Sequence, residues 1–422
     1  MMKQDQKNKT RRQIAYLSIF GITQLHLRNP WIIAWWSAAF PGLGHLLLSK
    51  NVRGFLLFGW EVFINVKAHI NQGIYYSFIG EFDKAKDVLN KEWMLFYVGT
   101  YIFAIWDSYR STVDMNNVYK LAAREDAEIQ PFKISTLGIN YLDKSSPFHA
   151  FLWSALIPGS GQLYLHRIIT AAFTIIWWIV IIYFSKLLPA IHYSFLGQFE
   201  QAKAVLDIHW TLNIPSIYGF SVYDAYVNTV EYNKLYNWEQ SKFLKSQYQY
   251  ENFNMPVKNG KPRSGGMYII ATFEYNSFLE LAITAIQMKG VAKERILAAP
   301  LDKRGGEIAL FDTMHRSDGL SLIDLAAMLG TIFMLFGSIY GFALKWGPIW
   351  WGLIGLGFGC SLGFVIKLII TKKYSKNRSS THKESDVVLI IECNQNELEM
   401  IKKTLWENHA LGVSKLDFTH IT

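Results

Sequence analysis

A chain of 422 residues that is 51% hydrophobic and 15% aromatic, with 18% charged residues and a mean hydropathy of +0.12, is too apolar for a typical soluble protein of its length. Its net charge of +9 does not point to nucleic acid, because Lys and Arg sit between apolar runs, where membrane topology places them, and not in a stripe interleaved with aromatics. The two cysteines, Cys360 in an apolar segment and Cys393 in a predicted strand, lack metal-type spacing and argue against a disulfide or a zinc site.

Residues 1–28 carry Lys3, Lys7, Lys9, Arg11, Arg12 and Arg28 against the single acid Asp5, around an apolar run from Ile14 to Ile22. Gln24, His26 and Arg28 follow that run in place of a small-residue cleavage site. The segment therefore reads as a basic cytoplasmic arm with an interfacial helix, not as a signal peptide.

The apolar segment from Trp31 to Leu48 is broken by Pro41-Gly42-Leu43-Gly44-His45, and the break returns 117 residues later as Pro158-Gly159-Ser160-Gly161-Gln162. The same offset carries Trp36-Ser37-Ala38 onto Trp153-Ser154-Ala155, Trp60 onto Trp177, Tyr76-Ser77-Phe78 onto Tyr193-Ser194-Phe195 and Asp107 onto Asp224. It also carries Tyr109, Thr112, Val113 and Asn116 onto Tyr226, Thr229, Val230 and Asn233. A tandem unit is predicted, with copies at 29–121 and 146–236 joined by a linker at 122–145.

Each copy offers three apolar segments: Trp31–Leu48, Gly54–Val66 and Trp93–Trp106, then His149–Leu165, Ile168–Ile191 and Ile214–Tyr226. If the Pro-Gly segment dips in and returns, each copy crosses twice, and Arg110, Lys120, Arg124 and Lys133 fall on the cytoplasmic side. Three full crossings would instead invert the second copy. A dipping segment must be buried in protein or line a wet cavity, since lipid cannot satisfy its free backbone groups. Around Phe82–Leu89 and Phe199–Leu206 the spacing predicts short amphipathic helices, lying on the outer interface or packed as lids on their own helices.

Residues 237–266 turn polar and read as a linker. Met267–Phe273 then reads as a strand, Ser277 to Glu280 as a capping box opening a helix, and Ile296–Pro300 as a second strand, giving a first βαβ half at 267–301. A second half at 387–422 has strands Val387–Cys393 and Val413–Phe418 around a helix opened by Asn394 and Glu397. Between the halves, flanked by linkers at 302–321 and 372–386, a hairpin at 322–371 contains two apolar segments of over about 20 residues, enough to cross the bilayer. The predicted fold is thus a mostly α-helical polytopic membrane protein of about eight membrane segments with a tandem helical repeat. To this is added a C-terminal α+β ferredoxin-like domain of the form βαβ, transmembrane hairpin, βαβ.

Pro-Gly-x-Gly, a following Gly54 or Ala171, and Trp106-Asp107 or Tyr223-Asp224 together resemble the TM2-type bacterial membrane domains. The aromatic pair and arginine usual after Gly-x-Gly are present only in part, as Leu163-Tyr164-Leu165-His166-Arg167 and as Leu46 to Leu48 with Lys50. Met267 to Phe418 is similar to the general stress protein 17M type and to the membrane accessory subunit of quinol-oxidising complexes, in which a glycine-rich hairpin interrupts two βαβ halves. These resemblances imply a bacterial cytoplasmic membrane and an accessory, regulatory or stress-related role. They carry over no catalytic residue.

Gly355, Gly359 and Gly363 recur every fourth residue and face Ala326-Gly330 and Gly337-Gly341 at the same spacing, a small-xxx-small pattern for close helix packing in the hairpin or between copies of the chain. Asp107, Asp224, Glu61 and His45 are the candidate intramembrane polar groups. The two aspartates either lie near enough to the cytoplasmic end to be solvated or to cap amides freed by the Pro-Gly turns, or form a paired cation or proton site and, with Glu61, line a polar path. Glu61 has Trp178 as its counterpart, and His45 has Gln162. No Walker, Rossmann or nucleophile-elbow pattern occurs in a suitable context, and no cofactor or metal is expected. The expectation is a non-enzymatic protein with both termini cytoplasmic, whose C-terminal domain binds a ligand or a cytosolic or membrane protein. Membrane lipids, and a second copy of the chain as an alternative, complete the expected partners. The competing reading is a transporter or channel with a polar path between the copies.

Overall fold

The computed structural model describes residues 10–250, 253, 255, 257–258, 261–262, 267–301, 322–372 and 386–417. The expected linker at 302–321, nearly all of that at 372–386, and the basic residues Lys3, Lys7 and Lys9 lie outside them.

The first element is a hairpin of β1 (Ala15–Ser18) and β2 (Gly21–Gln24), not the expected interfacial helix. The reason is a period-two pattern: Ala15, Leu17, Ile22 and Gln24 are buried while Tyr16 and Thr23 are exposed, and Gly21 takes a φ of +147° at the turn. Six helices follow: α1 (Pro30–Ala39), α2 (Leu43–Leu47), α3 (Asn51–Ala68), α4 (Ile70–Phe78), α5 (Phe82–Val88) and α6 (Lys91–Glu125). A second series then runs through β3 (Phe132–Ser135), β4 (Gly138–Tyr141), α7 (Pro147–Leu156), α8 (Ser160–Tyr164), α9 (Ile168–Ser185), α10 (Leu187–Phe195), α11 (Phe199–Val205), α12 (Ile208–Thr211) and α13 (Ile214–Tyr248).

From β1 to α6, every element begins 117 residues before its counterpart in the second series, the hairpins included. The segment 122–145 is therefore not plain linker, since Gly138, with a φ of +158°, turns a second hairpin there. Helix starts match in chemistry as well: Asn29 and Ser146 cap α1 and α7, and each helix has Pro at its first position. The single helix α6 answers to two pieces, α12 and α13, because Pro215 is tolerated only near a helix start. The polar stretch after Tyr236 is not linker at first either. Tyr236, Gln240, Leu244 and Tyr248 are buried at four-residue spacing, so one face keeps α13 helical through the change in composition. Beyond it lies a small ladder of β5 (Val257–Lys258) and β6 (Lys261–Pro262).

The elements that complete the chain are β7 (Met267–Phe273), α14 (Ser277–Met288), β8 (Ile296–Pro300), α15 (Leu322–Gly341), α16 (Gly347–Lys372), β9 (Val387–Cys393), α17 (Leu398–Glu407) and β10 (Gly412–Asp417). The described residues divide into two compact units: those within 10–141, 145–230 and 322–372 form one, and those within 142–144, 231–301 and 386–417 the other.

The first unit is all helix apart from its two hairpins. Its main core joins the two series: the buried Trp36 of α1 meets Phe220 and Tyr223 of α13 with ring centroids 5.6 and 5.1 Å apart, and Phe55 of α3 stacks on Phe173 of α9 at 4.2 Å. Ser216 donates to the carbonyl of Ala39 at 2.9 Å across the same seam. The short helix α11 packs on its neighbours, with Ala202 and Leu206 sharing a buried cluster with Ala190 and touching Phe342 and Ile349. Among the described residues three helices are long and apolar enough to cross a membrane: Ile168–Ser185, Ile323–Gly341 and Gly347–Ile369.

In the second unit the strands are ordered β10-β7-β9-β8, every neighbouring pair antiparallel. Ile269, Ala271 and Phe273 lie opposite Ile391, Leu389 and Val387, all buried, and with Ile296 and Ala298 they make one apolar face. Leu279, Ile283 and Ile286 of α14 and Ile401 and Leu405 of α17 are buried as well. The expected capping box at Ser277 is displaced by one residue. Asn276 caps α14, accepting from the Leu279 amide at 3.1 Å, and Glu280 instead accepts from Gln240 at 2.6 Å. At the second half Glu397 does reach back to the Asn394 amide, at 2.9 Å, but the helix starts only at Leu398.

Candidate functional site

The two Pro-Gly breaks have one backbone solution. Gly42 and Gly159 adopt φ of +99° and +100°, a left-handed conformation open to glycine, and each starts a five-residue helix. A Cβ on Gly42 would lie 2.8 Å from the Phe58 amide nitrogen. One on Gly44 would collide with the Ser37 hydroxyl and the Ile33 carbonyl, and one on Gly161 with the Ser154 hydroxyl and the Ala150 carbonyl. These glycines let α2 and α8 lie against the helices before them, which turns His45 and Gln162, both fully buried, toward the aspartates.

Asp107 Oδ2 bonds to His45 Nε2 at 2.9 Å and accepts from Arg53 at 2.7 Å, while Lys50 donates to Ser111 at 2.7 Å one turn further along α6. Asp224 Oδ2 accepts from Gln162 Nε2 at 3.1 Å and from the Arg167 guanidinium, and its Oδ1 accepts from Asn228 at 2.8 Å. Each aspartate thus has one bond from the side chain of its own turn and one from a guanidinium of its own series. The arginines come from different places: Arg53 sits in the first turn of α3, whereas Arg167 is the residue before α9 and is equivalent to Lys50. Arg53 is half exposed, but Arg167 and Asp224 are almost wholly buried.

The capping role expected for the aspartates is not what the geometry gives. The Gly159 amide is taken by the Ser221 hydroxyl at 2.9 Å, and the Leu43 and Ser160 amides by the Phe40 and Ile157 carbonyls. The carboxylates hold side chains instead, because these amides are already taken by the Ser221 hydroxyl of α13 and by main-chain carbonyls. His45 joins Asp107, whereas Glu61 joins neither aspartate and bonds to Asn65 at 3.5 Å and to Tyr97. The sequence reading missed Arg53 and Arg167 as partners, although a basic residue follows the break closely in both series. It also missed the asparagines near Glu61, whose signal was polarity inside otherwise apolar segments.

Close helix contact in the hairpin is direct. A Cβ on Gly337 would collide with the Trp351 carbonyl, one on Gly355 with that of Phe333, and one on Gly359 with that of Leu329. On Gly341 it would lie 2.5 Å from Pro348 Cα and on Gly363 2.7 Å from Ala326 Cα. In the second unit Arg295 pairs with Glu397 through two bonds, of 2.6 and 3.2 Å. The Arg295 hydrogen bond, helped by the Asn394 amide, holds the Glu397 carboxyl below its ordinary value, and burial pushes the Cys393 thiol up.

Among the described residues no group of three or more His, Cys, Asp or Glu side chains is placed to hold a metal ion. Searches of protein-family models, curated proteins and solved structures match nothing to this chain.

Proposed function

We propose that this chain is a non-enzymatic, multi-pass protein of a bacterial cytoplasmic membrane, in which a duplicated helical unit and a glycine-packed hairpin anchor a ferredoxin-like domain that binds a partner or small ligand on the cytoplasmic side. The observation that carries this reading is the closure of both equivalent carboxylates: Asp107 and Asp224 are each neutralised by an arginine of the same series and bonded to the turn, an arrangement suited to holding a fold. Large apolar side chains exposed along the three longest apolar helices, such as Ile176, Ile179, Phe358 and Ile369, fit a lipid surface. Helix α1 has 10 residues, roughly 15 Å, half of what a crossing needs, and α2 is buried throughout, which favours a dipping Pro-Gly segment. The strand order, counted along the second unit as 4-1-3-2, supports the ferredoxin-like assignment.

Reporter tags at residue 1, after Arg124, between Asn259 and Gly260 and at the C-terminus are expected to read cytoplasmic, and an external report at Arg124 would replace two crossings per copy with three. A transporter with a path between the two series remains the second reading, favoured by Glu61 and the asparagines around it. Vesicles carrying the whole protein decide between the two. No flux of protons, potassium or chloride above empty vesicles is expected, and flux that the Asp107→Asn, Asp224→Asn double variant abolishes would overturn the anchoring role.

A further inference from the structure

Glu61 is 5% exposed in the middle of α3 and has no ion-pair partner among the described residues, unlike Asp107 and Asp224. Its bonds come from neutral donors, the Asn65 amide at 3.5 Å and the Tyr97 hydroxyl. Asn65 continues to Asn71 at 3.1 Å, and Asn71 crosses to the second series, donating to Asn213 Oδ1 at 3.1 Å and to the His209 carbonyl at 2.7 Å. His209 is 6% exposed with Nδ1 unpartnered, and its ring centre lies 6.5 Å from that of His69, which is exposed at the corner between α3 and α4.

The fold does not need this polar chain. At the positions 117 residues on, Glu61, Asn65 and Asn71 are replaced by Trp178, Ile182 and Leu188, and α9 and α10 have the same lengths as α3 and α4. A buried carboxylate without a cation is costly unless it can be neutralised, and one at membrane depth is a functional candidate by default. The ligand that neutralises it is decided by the oxygens nearby. Asn65, Asn71 and Asn213 each already give one lone pair of the amide oxygen to a hydrogen bond, so a metal cation would compete with those bonds for its ligands. A proton needs no such ligands.

We propose that Glu61 is a proton-binding site, taking up and releasing one proton inside the helical unit through the corner formed by His69 and His209. When the proton leaves for water at that corner, the carboxylate keeps its two donors. When it returns, Glu61 carries it as a neutral acid. The titratable groups facing Glu61 are Tyr97 and Tyr101 of α6, while His209 of α12, with Asp207 at its cap and His69 beside it, stands at the far end of the asparagine chain, which reaches the His209 main-chain carbonyl.

Infrared difference spectra of the full protein in lipid discs, recorded between about pH 5 and pH 9, test this. The carbonyl band of a protonated carboxylic acid is expected to fade as pH rises in the wild type, to be absent in Glu61→Gln and to persist in Glu81→Gln. Labelling of the wild type with dicyclohexylcarbodiimide, which reacts with protonated carboxyls, should mark Glu61 about tenfold less at the alkaline end, as peptide mass spectrometry reads it. A wild type with no such band, a band that Glu61→Gln leaves in place, or labelling of Glu61 that ignores pH overturns the proposal. If Glu61→Gln fails to fold, the wild-type labelling decides alone.

Discussion

Replacing Gly359 by leucine tests whether the hairpin is held by backbone contact. A Cβ at that position would lie 2.7 Å from the Leu329 carbonyl carbon and 2.9 Å from Gly330 Cα, in each case against backbone that no rotamer change can clear. The helices must therefore separate along much of their length, since Gly355 and Gly363 are in the same kind of contact one turn to either side. Overpacking of this kind costs about 1–3 kcal/mol, which raises the population of the open hairpin about 5- to 150-fold. At about 2–4 °C per kcal/mol for a unit of this size, the apparent melting temperature in mild detergent should fall by about 2–12 °C. The control is built into the same helix. Gly357 has nothing within 4 Å of its would-be Cβ, so Gly357→Leu adds the same side chain without the collision. Equal melting temperatures for the two variants would refute the reasoning and leave the glycine spacing without a packing role.

Asp224→Ala strands the buried Arg167 guanidinium and should cost about 3–5 kcal/mol, whereas Asp107→Ala leaves Arg53 half in solvent and should cost about 1–2 kcal/mol. Detergent unfolding curves rank the two, and the reverse order would mean the pairs are not what stabilises the turns. In the second unit Glu397 has its carboxyl held below the ordinary value of 4.5, so the stability it adds is present above that value and is lost as pH falls through the lower folded one. Acid unfolding of that unit, followed by amide exchange in β9, should thus shift less with pH in Glu397→Gln than in the wild type.

What could be read from the sequence depended on the distance over which each signal acts. The 117-residue offset was visible because Trp36, Pro41, Gly42 and Asp107 recur as identities, yet its true start at β1 was hidden: beyond the strand alternation, Ala15 to Gln24 and Phe132 to Tyr141 share just three identities, Ser18 with Ser135, Gly21 with Gly138 and Ile22 with Ile139. Strands β7, β8 and β9 fell within a residue of expectation because alternation and turn residues are local. The polar run after Tyr236 misled because its composition is that of a linker, while its four-residue burial spacing acquires meaning only with something to pack on. Charge partners were the least legible. Arg53 and Arg167 occupy non-equivalent positions in the two series and still reach equivalent aspartates, because a long side chain either just before the helix start or within its first turn can aim its guanidinium at one point. The same comparison singles out Glu61. Where the fold itself requires a polar pair, the second series supplies it by another route. At Glu61 it supplies Trp178 and nothing polar, and that asymmetry marks the glutamate as serving something other than the fold.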